Sequence, residues 1–145
     1  TTLYLASYKG TRPGLQGLAN RAIRFFTKSI YSHSELCAGD PFAGPVDCLS
    51  SVGSEGGVRM KRMQLNPDKW DLIALPGTPV DAMYSFWAEH KGEPYDWVGC
   101  ARTVLPFVGR EHPLAWFCSE VCATVRAYPE AWRLHPGVLH TVESK

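Results

Sequence analysis

An α+β domain, with one antiparallel sheet packed against a layer of helices, is the fold class that this sequence predicts. Three observations point to it. The chain opens on a strand-like run, its middle third is a block of short strand-like runs, and its helical patterns stand apart from that block instead of alternating with it. A length of 145 residues, 45% hydrophobic and 20% charged, suits a single domain over 1–145 with a core of its own.

Leu3 to Tyr8 has the apolar and aromatic character of a first strand and stops at the turn cluster Lys9-Gly10-Thr11-Arg12-Pro13-Gly14. From Leu15 to Ile30, Leu15, Leu18, Ala19, Ala22, Ile23, Phe26 and Ile30 recur at a helical period, with Arg21, Arg24 and Lys28 mostly on the other side. A basic stripe of this kind suits peripheral contact with an anionic membrane, but three charges are few, and a helix docked on its own core is the simpler reading. Strands are expected from Tyr31 to Ala38, Val46 to Val52, Val58 to Met63 and Trp70 to Leu75. Asp40 to Pro45 reads as a turn and Gly53 to Gly57 as a loop. Thr78 or Asp81 can cap a helix running to Lys91, where Gly92-Glu93-Pro94 stops it. A further helix or turn follows from Tyr95 to Val104. The last helix is expected to begin at Cys118 or Ser119 and to end near Tyr128-Pro129, and a final strand is expected over Val138 to Val142. No repeat or linker divides the chain.

The bulk properties narrow the function. With 15 basic and 14 acidic residues the net charge is +1, which argues against a nucleic-acid partner. No apolar stretch is long enough to span a bilayer, and no secretory signal pattern opens the chain, so an integral membrane segment is not expected and the location reads as cytoplasmic. The chain opens at Thr1, which leaves room for a removed initiator Met or earlier processing. Five cysteines without a CxxC pair read as mostly buried free thiols in a reducing compartment, and neither a metal nor a cofactor is expected.

One cysteine stands out. In Ala115-Trp116-Phe117-Cys118-Ser119-Glu120-Val121-Cys122, Cys118 sits where an apolar run meets a helix start, and the helix's unpaired N–H groups favour a thiolate there. The N–H groups of Cys118 and Ser119 are placed to receive an oxyanion. Equally, a free cysteine among Trp116, Phe117 and Val121 is often plain core. Cys122, one turn on, belongs to the packed face. The partner is His33 in Tyr31-Ser32-His33-Ser34-Glu35-Leu36-Cys37, where strand alternation puts His33, Glu35 and Cys37 on one face and Ser32, Ser34 and Leu36 on the other. Glu35 can then hold the His33 ring, unless the two form only a surface pair. His90, His112, His135 and His140 have contexts of surface or loop residues. Ser119 and Ser50-Ser51 lack a G-x-S-x-G elbow, and the Gly53 to Gly57 loop lacks the lysine of a phosphate loop.

Ser32-His33-x-Glu35, the turn at Gly56-Gly57-Val58, Gly92-Glu93-Pro94-Tyr95-Asp96-Trp97 and Phe117-Cys118-Ser119-Glu120 together resemble the circularly permuted papain-like enzymes. These are the YaeF/YiiX group of the NlpC-type peptidases and amidases, in which the histidine strand precedes the cysteine. The resemblance covers the element order over residues 3–128 and implies a permuted papain-like fold whose helical layer carries the nucleophile. It implies Cys118 as nucleophile, His33 as general base and then acid, and Glu35 as the orienting residue, with Ser50 or Ser51 as alternatives. Tyr95 falls where such enzymes keep an aromatic beside the cleft, which implies a part in substrate binding; Trp97 reads as core. The implied activity is amide hydrolysis, with a bacterial cell-wall (peptidoglycan) peptide as substrate. A chain without an export signal then needs a phage particle, lysis or another export route to reach the wall. An acyltransferase or thioesterase acting on lipid or acylated protein, and a binding module without chemistry, are the alternatives.

Overall fold

The computed structural model describes residues 1–10, 30–96, 116, 118–129 and 136–145. Five strands, β1 (Leu3–Tyr8), β2 (His33–Ala38), β3 (Val46–Val52), β4 (Gly57–Met63) and β5 (Trp70–Ala74), form one antiparallel sheet in the order β4-β3-β2-β1-β5. The described α-helices are α1 (Val80–His90), α2 (Cys118–Val125) and α3 (Pro136–Glu143), and a single 3-10 turn, Gly53–Glu55, links β3 to β4. The domain is thus α+β, as the segregation of strand and helix patterns predicts. Among the described residues no helix is long and apolar enough to cross a membrane. The helix expected from Leu15, the segment expected from Tyr95 onward past Asp96, and Cys100, His112, Phe117 and His135 lie outside the described residues.

Strand alternation sorts the core into two sides. On one, Leu3, Leu5, Leu36, Leu49 and Val58 pack with Met83 and Phe86 of α1, Val121, Cys122 and Val125 of α2, and Leu139 of α3. On the other, Ala6, Tyr8, Cys37, Cys48 and Trp70 pack with Leu65 from the segment between β4 and β5. All three helices therefore share one face of the sheet, and α2 lies over β2 and β3. Cys37 and Cys48 stand opposite each other across β2 and β3 with their sulfurs 3.5 Å apart.

Strand ends shift by one or two residues from expectation, and three larger differences concern the helices. The residue preceding α1 is Pro79, and neither Thr78 nor Asp81 caps it: the Thr78 hydroxyl accepts from the Arg126 guanidinium, while Asp81 lies in the first turn, where its charge suits the helix dipole. Next, α2 ends at Val125. Ala127 adopts a left-handed φ of 60°, and the N–H groups of Ala127 and Tyr128 close back on the carbonyls of Thr124 and Ala123, the pattern of a Schellman stop. Finally, Pro136–Glu143 is a helix and not a strand. Its short run of Val138, Leu139 and Val142 fits either period, and Pro136 in the first turn, where a missing N–H costs nothing, decides for the helix.

Gly57 joins the sheet to the end of α1. Its φ is +110°, and a Cβ there would run into the Glu93 carbonyl, which accepts the Val58 N–H at 2.9 Å. Gly57→Ala is expected to lower stability by about 2 kcal/mol through strain and displacement of this strap. A thermal melt checks it; an unchanged midpoint would contradict the close approach.

Candidate functional site

β2 begins with the histidine of interest. His33 and Glu35 project from one face of the strand, and His33 Nε2 lies 2.9 Å from Glu35 Oε1. Glu35 is 1% exposed, so its charge needs compensation. Arg59 supplies it: on β4, two strands away on the same face, its guanidinium grips Glu35 through Nη1 to Oε2 at 2.8 Å and through Nη2 to Oε1. Arg59 Nε also donates to Glu55 at 2.9 Å. Burial alone would raise the Glu35 carboxyl, but the Arg59 charge and the hydrogen bonds from His33 and Arg59 outweigh it, bringing the value down from 4.5 to about 2. The ionised carboxylate is therefore the acceptor and His33 Nε2 the donor. The Trp70 ring meets the imidazole edge-on at 6.1 Å. Ser50 and Ser51, the alternatives to Glu35, spend their hydroxyls on the carbonyls of Ser34 and Trp116, each at 2.6 Å.

Cys118 is the first residue of α2 and is 1% exposed. Cys118, Val121, Cys122 and Val125 follow one helical stripe, and the last three pack against the sheet, so Cys118 heads the sheet-facing stripe. Cys122 is fully buried, and burial with the nearby Cys118 and Glu35 charges pushes its thiol well up, which makes it inert core. Ser119 is buried as well.

The structure brings His33 and Glu35 together, with Arg59 behind them. It places the sheet-facing stripe of α2, headed by Cys118, on the other face of β2, the face of Ser34 and Leu36. Both groups stand at the same end of the sheet, because Ser51, whose hydroxyl reaches Trp116, lies near the end of β3 beside the start of β2. The helix-bearing face is polar at this end. Asp71, Ser7 and Ser34 stand in register across β5, β1 and β2, and continuing the Leu36–Leu49 pairing sets Ser51 beside Ser34. Among the described residues, the buried hydroxyls of Ser32, Ser34 and Ser119 have no hydrogen-bond partner.

His140, read from sequence as a surface or loop residue, belongs to this polar end. Its Nδ1 lies 2.8 Å from Ser7 Oγ and its Nε2 3.2 Å from Tyr31 Oη, which donates to Asp71 at 2.5 Å. Burial lowers the His140 pKa, partly opposed by Asp71. Once the C-terminal run folds as a helix instead of a strand, His140 is delivered onto β1. His90 ends α1 and pairs with Glu93, Nδ1 to Oε2 at 2.8 Å.

Tyr95 is half-buried and forms an isolated parallel bridge with Trp116: Trp116 N–H donates to Pro94 O, and Asp96 N–H to Trp116 O, both at 2.9 Å. Tyr95 is thereby tied to the segment that leads into Cys118. Arg59 escaped the sequence reading, although strand alternation in Val58-Arg59-Met60-Lys61 places Arg59 and Lys61 on one face and Val58 and Met60 on the other. Among the described residues, no group of three or more His, Cys, Asp or Glu side chains is arranged to hold a metal. No protein-family model matches the chain, and no curated protein matches it.

Proposed function

We propose that this protein is a cysteine hydrolase of the permuted papain-like type that cleaves an amide bond, with a cell-wall-type peptide as substrate. Cys118 attacks the carbonyl as a thiolate, and the N–H groups of Cys118 and Ser119 at the start of α2 receive the oxyanion. His33 protonates the leaving amine, and water then resolves the thioester. Tyr95 contributes to substrate binding. The observation that supports this reading best is the fixed imidazole: a buried, ionised Glu35 holds His33 by Nε2, and Arg59 holds Glu35. Structural histidines seldom need a carboxylate anchored by its own guanidinium.

The test is turnover. Purified protein is incubated with peptidoglycan fragments and, separately, with acyl esters and thioesters, and products are identified by mass. Amide cleavage by the parent and a loss of about a thousandfold in His33→Ala are expected, the range of a lost general acid–base. Products from the acyl substrates alone would move the protein to the acyltransferase or thioesterase class. Equal turnover by His33→Ala would remove His33 from the chemistry.

A non-catalytic binding module is the second reading, and two observations favour it. Cys118 is almost fully covered, and the His33 pair projects from the sheet face opposite the α2 stripe. On this reading no substrate of either class is turned over.

A further inference from the structure

Trp116 lies two residues before Cys118 and is held through both its backbone and its ring. Its N–H donates to the Pro94 carbonyl, and its own carbonyl accepts from the Asp96 N–H and the Ser51 hydroxyl. Its indole Nε1 donates to Glu93 Oε2, the same oxygen that meets His90 Nδ1. The ring packs edge-on against Phe86 at 5.0 Å and against His90 at 4.9 Å. Glu93 lies in the Gly92-Glu93-Pro94 turn, and its carbonyl also accepts the Val58 N–H. One short strap thus joins the end of α1, the β4 entry, the β3 end and the lead into α2.

A tryptophan bound only for packing needs its ring buried and its N–H satisfied by any acceptor. Here the acceptor is a carboxylate shared with a histidine, and the residue's backbone is bonded in both directions. Such ties restrict translation and rotation at the point where α2 starts. The start of that helix decides where the Cys118 sulfur and the Cys118 and Ser119 N–H groups sit relative to a substrate carbonyl. A shift of about 1 Å at that point can cost about a hundredfold in rate.

We infer that Trp116 and Glu93 are positioning residues that set the start of α2, and so the placement of the Cys118 thiol and its oxyanion donors. The inference rests on Cys118 being the nucleophile. The indole–carboxylate bond is the tie that matters: the aromatic packing holds the ring in place, and the bond fixes its rotation about that packing.

Trp116→Phe keeps a ring against Phe86 and His90 and removes the N–H. Glu93→Ala removes the acceptor from the other side. Two quantities are followed in the intact protein: the rate of Cys118 alkylation by iodoacetamide, mapped by mass, and kcat and KM on the substrate that the parent turns over. Each variant is expected to lower kcat about tenfold with KM little changed, because misplacement is felt in the transition state. The Trp116→Phe, Glu93→Ala double variant should lose no more than either single one, since both break the same bond. Glu93→Gln, which keeps an oxygen for the indole N–H, should recover most of the rate. Tyr84→Phe, which breaks the Tyr84–Asp47 hydrogen bond elsewhere on the helix face, should leave Cys118 unaffected. Melting curves accompany every variant. Lower stability with parental kcat and alkylation rate in Trp116→Phe and Glu93→Ala would overturn the inference and leave a purely structural strap. Should Trp116→Phe not fold, Glu93→Ala and its Gln counterpart decide alone. A parent whose Cys118 neither alkylates nor turns over any substrate overturns the hydrolase reading itself, and the positioning role with it.

Discussion

Cys118→Ala is expected to abolish turnover while the protein still folds. Without the sulfur there is no acyl-enzyme, and the residual rate should fall at least about ten-thousandfold, as it does when a covalent nucleophile is deleted. The stability cost is small in comparison. Cys118 is buried at the head of the α2 stripe, and losing one sulfur there opens a small gap worth about 1 kcal/mol. Circular dichroism should show the parental spectrum and a slightly lower midpoint. The result separates chemistry from architecture: a residue needed only for packing would cost stability and activity together. Turnover that survives Cys118→Ala would end the cysteine-hydrolase account, whatever the role of His33.

The second large effect is on stability. Glu35→Gln is expected to destabilise the protein by about 3 kcal/mol, because it leaves the Arg59 guanidinium buried without its counter-charge. Glu55 still meets Arg59 Nε, but that carboxylate is one-third exposed and also serves Lys61, so it replaces only part of the lost pairing. Activity should fall less than in His33→Ala, since an amide oxygen can still hold His33 Nε2. The pH dependence follows from the direction of the shift. Glu35 is lowered from 4.5 to about 2, so its stabilising contribution is fully present above pH 4.5 and is lost as pH falls through 2. The parent's melting midpoint should drop across that interval beyond the general acid loss, and Glu35→Gln should drop less. Parallel curves for the two would contradict the ionised, paired carboxylate.

Much of this architecture is written locally in the chain. Runs such as Val46–Val52 and Gly57–Met63 carry turn residues at their ends, and the Gly92-Glu93-Pro94 stop marks where α1 finishes. Strand alternation alone predicts that His33 and Glu35 share a face, and they do. What the sequence does not carry is the order in which strands meet. β1 lies between β2 and β5, a pairing across more than sixty residues that no local pattern encodes. Arg59 was hidden for that reason: its alternation is legible, but its partner sits two strands away. The C-terminal run reads as a strand because β-branched Val138, Thr141 and Val142 have strand character, whereas Pro136 in the first turn, with Leu139 packed on the helix-side core and His140 on Ser7, selects a helix. The side of the sheet that carries α2 was equally invisible, since a helical stripe announces that it packs but not on which face.

The most direct test of the account is the reactivity of the five thiols. Native protein is treated with limiting iodoacetamide at about pH 6, where ordinary thiols are almost wholly protonated, and the alkylated residue is mapped by mass in the parent and in His33→Ala. Cys118 is expected to react first in the parent, well ahead of Cys37, Cys48 and Cys122, and to lose this lead when His33 is removed. A Cys118 that stays inert while another cysteine reacts would contradict the account and leave the helix-start cysteine as core.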